Sequence, residues 1–205
     1  MAAPPTSLIL ASASPRRREI LRALGIPHDV VAPEVEEVTG GDPDRVVLEN
    51  ARRKARAVRE SAPAEALVLG VDTEVALDGR TLGKAADRSS ARARLIELSG
   101  RTHTVLSGVV VLGGMGGRRE ERSGISRSEV TFRELAPADL DLYLASGEWR
   151  DRAGAYAIQG LGSILVEQVV GDFSNVVGLP VRLLFELAPE LRDAAGGLSG
   201  GTDVD

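Results

Sequence analysis

The sequence contains no cysteine, and this absence excludes several kinds of chemistry. Without thiols the chain has no disulfide, no thiol nucleophile and no thiolate metal site. Only two histidines are present, His28 and His103, and their positions do not have the spacing of metal ligands, so we interpret both as structural. Any bound metal is therefore expected to use oxygen ligands.

Aromatic residues and long apolar runs are also scarce. Phe, Trp and Tyr make up 3% of the 205 residues, which provides no evident platform for stacking single-stranded nucleic acid. No apolar run approaches the ~20 residues of a membrane helix, and the N-terminus lacks the features of a secretion signal. We therefore expect a cytoplasmic protein that binds neither a nucleic-acid polymer nor a membrane.

The charge is acidic overall but locally basic. Lys and Arg number 25 against 30 Asp and Glu, for a formal net charge of −5. The basic residues cluster at Arg16–Arg18 and within residues 52–59. An acidic chain with local basic clusters favours a small anionic ligand over a DNA surface.

Strand and helix patterns alternate along the chain without repeats. We predict strands at residues 7–11, 66–77, 104–112, 125–133 and 163–170, and helices at 16–24, 43–60, 89–98, 137–145 and 180–191. Residues 113–117 form a glycine-rich hairpin tip in this scheme. The alternation predicts an α/β fold with a mixed sheet. Residues 192–205, rich in Gly, Ser and Asp, are expected to be a disordered tail.

The junction between the first strand and the first helix predicts a phosphate site. Ser14 is placed as the N-cap and Pro15 as the first helical residue. The free backbone N–H groups of such a turn attract an anion, and Ser12, Arg16 and Arg17 add donors. A solvated basic first turn is the alternative, although arginine at a helix N-terminus opposes the macrodipole and so suggests a bound anion.

Three charged residues are candidates for the site: two lie in otherwise apolar segments, and the third follows a hairpin turn. Asp72 follows the apolar run at residues 67–71, where a carboxylate is costly unless it is paired or bound to metal. Lys54 lies in the middle of the apolar face of the second helix, and Lys84 follows a hairpin turn. Each residue also has an alternative without a catalytic role: Asp72 as the cap of a turn, Lys54 as a lysine that snorkels to solvent and Lys84 as a simply solvated lysine.

An acidic loop follows the first helix. Glu34, Glu36 and Glu37 can complete an oxygen-rich Mg²⁺ or Mn²⁺ shell together with Asp72 and substrate phosphates. Solvation of the loop acids, with no metal role, is the alternative.

Six motifs follow one another along the chain: LILASASPRR at 8–17, GVDT at 70–73, LGK at 82–84, SGRTH at 99–103, AGAYAIQG at 153–160 and NVVGLP at 175–180. In this order they resemble the motifs of the Maf family of nucleoside triphosphate pyrophosphatases. The resemblance covers residues 8–187. It implies a single domain over residues 1–191, with a two-lobed mixed β-sheet and flanking helices related to the inosine triphosphate pyrophosphatase-like fold. It also implies a nucleotide cleft between the lobes and a homodimer.

The resemblance assigns roles residue by residue. The implied catalytic residues are Asp72, as proton acceptor, with Lys54 and Lys84. The implied substrate-binding residues are Ser12, Arg16, Arg17, Thr73 and Gln159. The implied ligands for a divalent cation, Mg²⁺ or Mn²⁺, are Glu37 and Asp72.

The resemblance associates Arg16, Thr73 and Gln159 with substrate choice, and these three residues resemble the branch that acts on dTTP and UTP. A neutral Gln159 amide can both donate to and accept from a pyrimidine edge. The chain departs from the family pattern at Glu74, where an apolar residue is common, and at Ala85 and Phe173. The resemblance thus implies hydrolysis of dTTP and UTP to the nucleoside monophosphate and pyrophosphate.

Two alternatives remain open at this point. One is the same chemistry on a purine or modified nucleotide such as 7-methyl-GTP. The other is a nucleotide-binding regulator of cell division or septum formation that needs no turnover.

Overall fold

The computed structural model describes residues 7–113 and 120–195. The strands in these ranges are β1 (Leu8–Ala11), β2 (His28–Val31), β3 (Leu67–Leu77), β4 (Arg80–Thr81), β5 (Thr102–Leu112), β6 (Glu121–Phe132) and β7 (Val166–Gly171). The helices are α1 (Pro15–Ala23), α2 (Pro43–Arg59), α3 (Arg88–Leu98), α4 (Pro137–Ser146), α5 (Phe173–Val177), α6 (Val181–Leu187) and α7 (Leu191–Ala195). A 3₁₀ segment covers Gly160–Leu165. Among the residues in these two ranges, none of the helices is both long and apolar enough to cross a membrane.

The strands form one mixed sheet in the order β2-β1-β3-β5-β6-β7. Strand β4 pairs with the C-terminal end of β3. Strand β1 runs parallel to β2 and to β3, whereas the pairs β3-β5, β5-β6 and β6-β7 are antiparallel. Helices flank this sheet, so the prediction of an α/β fold with a mixed sheet is confirmed.

Strand β3 is long enough to serve two packing regions. Its first half packs among apolar residues from β1, α2 and α6, and Val68 and Leu69 belong to the cores on opposite faces of the sheet. Its second half, from Val75, packs with α3 and α4. Asp72 and Thr73 lie between these regions, so the chain places its polar residues where one core ends and the next begins.

Two glycines allow α2 to lie very close to the sheet. A Cβ atom at Gly70 would stand 2.2 Å from the carbonyl oxygen of Ala51, and one at Gly108 would stand 2.4 Å from that of Val47. Glycine at both positions therefore permits backbone contact between α2 and the paired strands β3 and β5. This close approach brings the side chains of α2 within reach of Asp72.

Several element boundaries differ from the sequence predictions. The strand predicted from residue 163 begins at Val166, because the chain first forms the 3₁₀ segment. The helix predicted over 180–191 is broken into α6 and α7, because Pro189 lacks an N–H and disfavours helical backbone at the preceding residue. Strands β2 and β4 and the short helix α5 were not predicted.

The C-terminal prediction needs one correction. Residues 192–195 belong to α7 and not to a disordered tail. Residues 196–205, and most of the predicted glycine-rich tip at 113–117, lie outside the described residues. The division into a single domain over residues 1–191 and a tail stays a prediction.

Candidate active site

A cleft of about 840 Å³ opens beside Asp72 and Thr73, two polar residues in the middle of β3. The residues to which the resemblance assigns roles all line it, namely Ser12, Arg16, Arg17, Glu37, Lys54, Asp72, Thr73, Lys84 and Gln159. Glu34 and Glu36, the other two acids considered for the metal shell, do not belong to this lining. The residues with assigned roles come from the turn between β1 and α1, α1 itself, the loop before α2, α2, β3, the segment after β4 and the loop before the 3₁₀ segment. Their chemical roles stay predictions, but their convergence makes one shared site possible.

Asp72 is buried, with 6% of its surface exposed, and it is paired. Its Oδ1 atom lies 2.6 Å from Nζ of Lys54, and the same Nζ lies 2.5 Å from Oε1 of Glu37. Lys54 therefore bridges two acids, which offsets the cost of burying the Asp72 carboxylate. The lysine does not snorkel, because its side chain is only 12% exposed and its ammonium group contacts both acids.

Asn50 completes this cluster, and the sequence analysis missed it. Its Nδ2 atom donates to Oδ2 of Asp72 at 3.2 Å and to the carbonyl of Val38 at 3.1 Å, while its Oδ1 accepts from the Val38 N–H at 2.7 Å. Asn50 thus ties the loop that carries Glu37 to the Asp72 carboxylate. A polar amide on the apolar face of α2, one turn before Lys54, was the signal that could have revealed it.

Arg17 is the most constrained cation of the cleft. It donates through Nε to the carbonyl of Gly178 at 2.9 Å, through Nη1 to Oγ of Ser12 at 2.9 Å and through Nη2 to Oγ1 of Thr73 at 3.1 Å. Burial lowers its pKa to about 10, and the charges of Asp72 and Glu37 oppose that shift. Arg17 therefore joins three chain segments, beyond the phosphate-binding role that the resemblance implies.

The turn before α1 also differs in detail from its prediction. Ser14 occupies the N-cap position, but its hydroxyl makes no capping hydrogen bond. The Ser14 N–H instead donates to Oγ of Ser12 at 3.2 Å. Ser12 is thereby held by both the turn and Arg17.

Arg16 makes fewer bonds within the protein than Arg17. Its Nε donates to the carbonyl of Val177 at 3.2 Å, a bond that does not use the two Nη groups. Partial burial lowers the pKa of Arg16, and the charge of Glu19 partly offsets this effect. Of the two arginines, Arg16 is the one better placed to give its outer donors to a ligand.

The hydroxyl of Thr73 is engaged within the protein. It accepts from Arg17, lies 2.9 Å from Oγ of Ser107 and lies 3.4 Å from the carbonyl of Gly178. The predicted direct contact between Thr73 and a base stays a prediction. In the structure this hydroxyl links β3 to the loop at Gly178.

The loop that carries Gln159 is held on both sides. The Tyr143 hydroxyl accepts from the N–H of Ala157 at 2.9 Å. The carboxylate of Glu148 accepts from the N–H groups of Leu161 and Gly162, each at 3.0 Å. Neither Tyr143 nor Glu148 was predicted, because an acid between Gly147 and Trp149 has no local pattern that indicates its partners.

Glu74 lies on the same side of β3 as Asp72 and also lines the cleft. Burial raises its pKa to about 7, and the negative charges of Asp72 and Glu37 add to the shift. Within the described part of the chain, its buried Oε2 has no hydrogen-bond partner. The surroundings of Glu74, the acid that departs from the family pattern, therefore disfavour its charged form.

The backbone around Lys84 crosses to the Gln159 side of the cleft. Lys84 pairs with Ala153 in an isolated β-bridge, and the Gly154 N–H donates to the carbonyl of Gly83 at 2.9 Å. The bridge places the backbone of Lys84 beside Ala153, and the role of Lys84 in the site stays a prediction.

The histidines are placed away from the cleft lining. His103 is buried, its Nε2 lies 2.8 Å from the Tyr156 hydroxyl, and burial lowers its pKa to about 4. Nδ1 of His28 lies 2.8 Å from the carbonyl oxygen of Ile26. These contacts agree with the interpretation of both residues as structural.

The family model for Maf-like proteins matches residues 7–191 of the chain. This chain belongs to the Maf family. A relative from Deinococcus radiodurans named dTTP/UTP pyrophosphatase is 47% identical over 181 residues, which is 88% of this chain and 90% of the relative. A relative of the same name from Bacillus anthracis is 43% identical over 183 residues, which is 88% of this chain and 93% of the relative.

Among solved structures, this Maf chain is similar to a nucleoside-triphosphatase, dITP/XTP pyrophosphatase, from Mycobacterium abscessus. The match covers 95% of this chain and 100% of that one, with a TM-score of 0.43 and 16% sequence identity.

The acids of this Maf chain can be tested for their fit to a divalent cation. Within the part of the chain that the structure describes, no three His, Asp or Glu side chains form a ready-made metal cluster. Asp72 and Glu37 nevertheless place hard oxygen donors around one cation, the Lys54 ammonium. Mg²⁺ usually binds through one or two carboxylates and completes its shell with phosphate oxygens and water. The two acids therefore fit a metal that arrives with a triphosphate.

Proposed function

We propose that this Maf protein hydrolyses dTTP and UTP between the α and β phosphates, releasing the nucleoside monophosphate and pyrophosphate. One observation carries the proposal: the residues expected to hold a triphosphate and the residue expected to read a base line the same cleft. The names of the relatives that are 43–47% identical support the same substrates.

The cations of the cleft suit a triphosphate, which carries about four negative charges at neutral pH. Arg16, Lys54 and Lys84 come from different elements and surround the same space. In the structure Lys54 is neutralised by Asp72 and Glu37. A bound phosphate would compete with these acids for the ammonium group, and a preorganised cation of this kind stabilises developing negative charge.

Asp72 is the group we propose as the general base. Its carboxylate accepts a proton from a water molecule whose oxygen forms a bond to the α phosphorus. The bond from the α phosphorus to the bridging oxygen breaks, and pyrophosphate leaves with that electron pair. Asn50 holds Oδ2 of Asp72, which orients the carboxylate for this step.

Glu37 and Asp72 are the residues that we expect to hold a divalent cation, Mg²⁺ or Mn²⁺. When bound, such an ion neutralises phosphate charge and polarises the phosphoryl oxygens. Lys54, already placed between the two acids, adds a second positive charge to the same region.

Gln159 is the group we propose to select the base. Its amide can donate to a carbonyl and accept from N3–H of thymine or uracil, whereas cytosine has an acceptor at N3. Gln159 precedes the 3₁₀ segment but makes no capping hydrogen bond to it, so the amide is not used by that segment. Gln159 is exposed in the structure, and we expect a bound nucleotide to cover its amide. A mismatched base would then leave polar groups buried and unpaired, which costs about 1 to 3 kcal/mol each.

The test is the specificity constant for pyrophosphate release. We expect kcat/KM for dTTP and UTP to exceed that for dCTP, CTP, the purine triphosphates and 7-methyl-GTP, and Gln159→Glu to reduce the preference. If 7-methyl-GTP or CTP equals or exceeds dTTP and UTP, the substrate assignment is wrong while the pyrophosphatase assignment stands. If no triphosphate is turned over, the enzymatic assignment fails and the regulator alternative gains support.

We also propose that the protein is a homodimer, as the family resemblance implies, and that it is cytoplasmic, as the sequence analysis expects. Light scattering coupled to size-exclusion chromatography measures the oligomeric state, and a single-chain mass would contradict it. Fractionation of the source cells tests the location.

A further inference from the structure

Glu148 is an acid whose whole carboxylate is devoted to backbone N–H groups on another segment. Oε1 accepts from Leu161 and Oε2 from Gly162, both at 3.0 Å. These are charge-assisted hydrogen bonds, which are stronger than bonds between neutral groups. The two bonds fix the first turn of the 3₁₀ segment that begins directly after Gln159.

Glu148 is itself held in place. Its N–H donates to Oγ of Ser146 at 3.1 Å, and its carbonyl accepts from Nε of Arg152 at 3.2 Å. The neighbouring residue, Trp149, is buried in the core. The carboxylate therefore projects from a fixed backbone and not from a free loop.

The loop around Gln159 has little freedom to adjust. Gly160 has φ +69°, and a Cβ atom there would stand 2.7 Å from Oε1 of Glu148. A Cβ atom at Gly162 would stand 1.9 Å from the carbonyl oxygen of Ala157. The chain closes tightly on itself between residues 157 and 162, and Gln159 is an exposed residue in this stretch.

We propose that Glu148 is a positioning residue for base selection: it fixes the backbone on the C-terminal side of Gln159 and so sets the direction of the amide. The Tyr143 hydroxyl fixes the N-terminal side through the N–H of Ala157. The inference rests on the proposed function of Gln159, and it assigns to Glu148 no contact with the reacting phosphates.

The first test is Glu148→Gln, which has nearly the same shape. A glutamine amide can accept only one of the two N–H bonds and places its own donor against the other N–H. We expect the ratio of kcat/KM for dTTP to that for dCTP to fall about tenfold, the scale of one lost charge-assisted bond. The loss should lie in KM for dTTP, with kcat within about threefold of the original protein, because Asp72 and Lys54 lie on other elements.

Asp139→Asn is the matched control. Asp139 also accepts a backbone N–H, that of Ala136 at 2.9 Å, at the start of α4, and it does not belong to the cleft lining. This variant is expected to lower the melting temperature without changing the dTTP to dCTP ratio. If Glu148→Gln behaves in the same way, Glu148 has only a structural role and the inference is overturned.

A double-mutant cycle gives the sharpest readout. In a Gln159→Ala background, Glu148→Gln should no longer change the base ratio, because the residue that it positions is gone. An equal change in both backgrounds would overturn the inference. If Glu148→Gln does not fold, Tyr143→Phe serves in its place, since it removes the acceptor on the other side of Gln159.

The proposed function can fail separately. The original protein is assayed first, and the ratio is taken between whichever base it prefers and the next best. If it prefers another base, the dTTP and UTP assignment fails, but the positioning role of Glu148 is still measured. An original protein with no base preference contradicts both proposals before any variant is made.

Discussion

Lys54 Nζ lies 2.6 Å from Asp72 Oδ1, and this ion pair joins helix α2 to the centre of strand β3. Both side chains are largely withdrawn from solvent, so removal of one partner leaves the charge of the other poorly compensated. Glu37 shares the same ammonium group. The pair therefore supports the fold and, in our proposal, also holds the catalytic base next to a phosphate-binding cation.

Asp72→Asn should separate these functions. Asparagine keeps the size and can still hydrogen-bond to Asn50, so we expect a folded protein that binds nucleotide. Without a carboxylate to accept a proton, kcat for dTTP should fall by ~10² or more. Steady-state kinetics measures this, and Asp78→Asn, at the exposed hairpin turn, is the matched control. Near-normal turnover in Asp72→Asn would remove Asp72 from the mechanism.

The two arginines of α1 should respond differently to lysine. Arg17 contacts three acceptors through three different nitrogen atoms, and a single lysine ammonium group cannot contact all three at once. Arg17→Lys should therefore lower the free energy of unfolding by about 2 kcal/mol. That loss corresponds to roughly 4–8 °C in melting temperature for a chain of this length. Arg16→Lys should change the melting temperature little but raise KM. Equal thermal losses in both variants would contradict the division of roles.

Catalysis should require a divalent cation, while the fold should not. EDTA is expected to abolish pyrophosphate release, and added Mg²⁺ or Mn²⁺ to restore it, since the acids available are hard oxygen donors. Circular dichroism and the melting temperature should stay unchanged in EDTA, because Lys54 compensates Asp72 and Glu37. Full activity in metal-free buffer is the contrary result.

Glu74 should make stability depend on pH. Burial raises its pKa from 4.5 to about 7, so between these values the unfolded chain has released a proton that the folded protein keeps. The folded state then binds more protons, and this residue lowers the free energy of unfolding as pH rises through that window.

Glu74→Gln removes this contribution. The variant should gain stability relative to the original protein as pH rises from 4.5 to about 7, by up to ~3 kcal/mol, with no further gain above that range. Urea unfolding at several pH values measures the difference, with Glu65→Gln at an exposed position as the control. A difference that does not vary with pH would show that burial does not perturb this carboxyl.

Local patterns in the sequence were sufficient to predict the main elements and the candidate residues. The apolar stripe of α2, which includes Val47, Ala51, Ala55 and Val58, is buried as the helical period predicts. Asp72 stood out because a carboxylate within an apolar strand is costly wherever that strand packs. Elements with weak or interrupted patterns were missed or misplaced, among them the exposed strand β2 and the helix broken at Pro189.

Partners between distant residues were decided by the tertiary structure alone. A helical or strand period indicates which side of an element is buried, but it does not indicate what lies opposite. The pairing of Lys54 with Asp72 depends on the close approach of α2 to β3 at Gly70, and the link from Asn50 to Asp72 depends on the same contact. The two hydrogen bonds that Glu148 accepts from the segment after Gln159 likewise form only when these segments meet in space. The sequence thus determined which residues could do chemistry, and packing determined which of them hold one another in place.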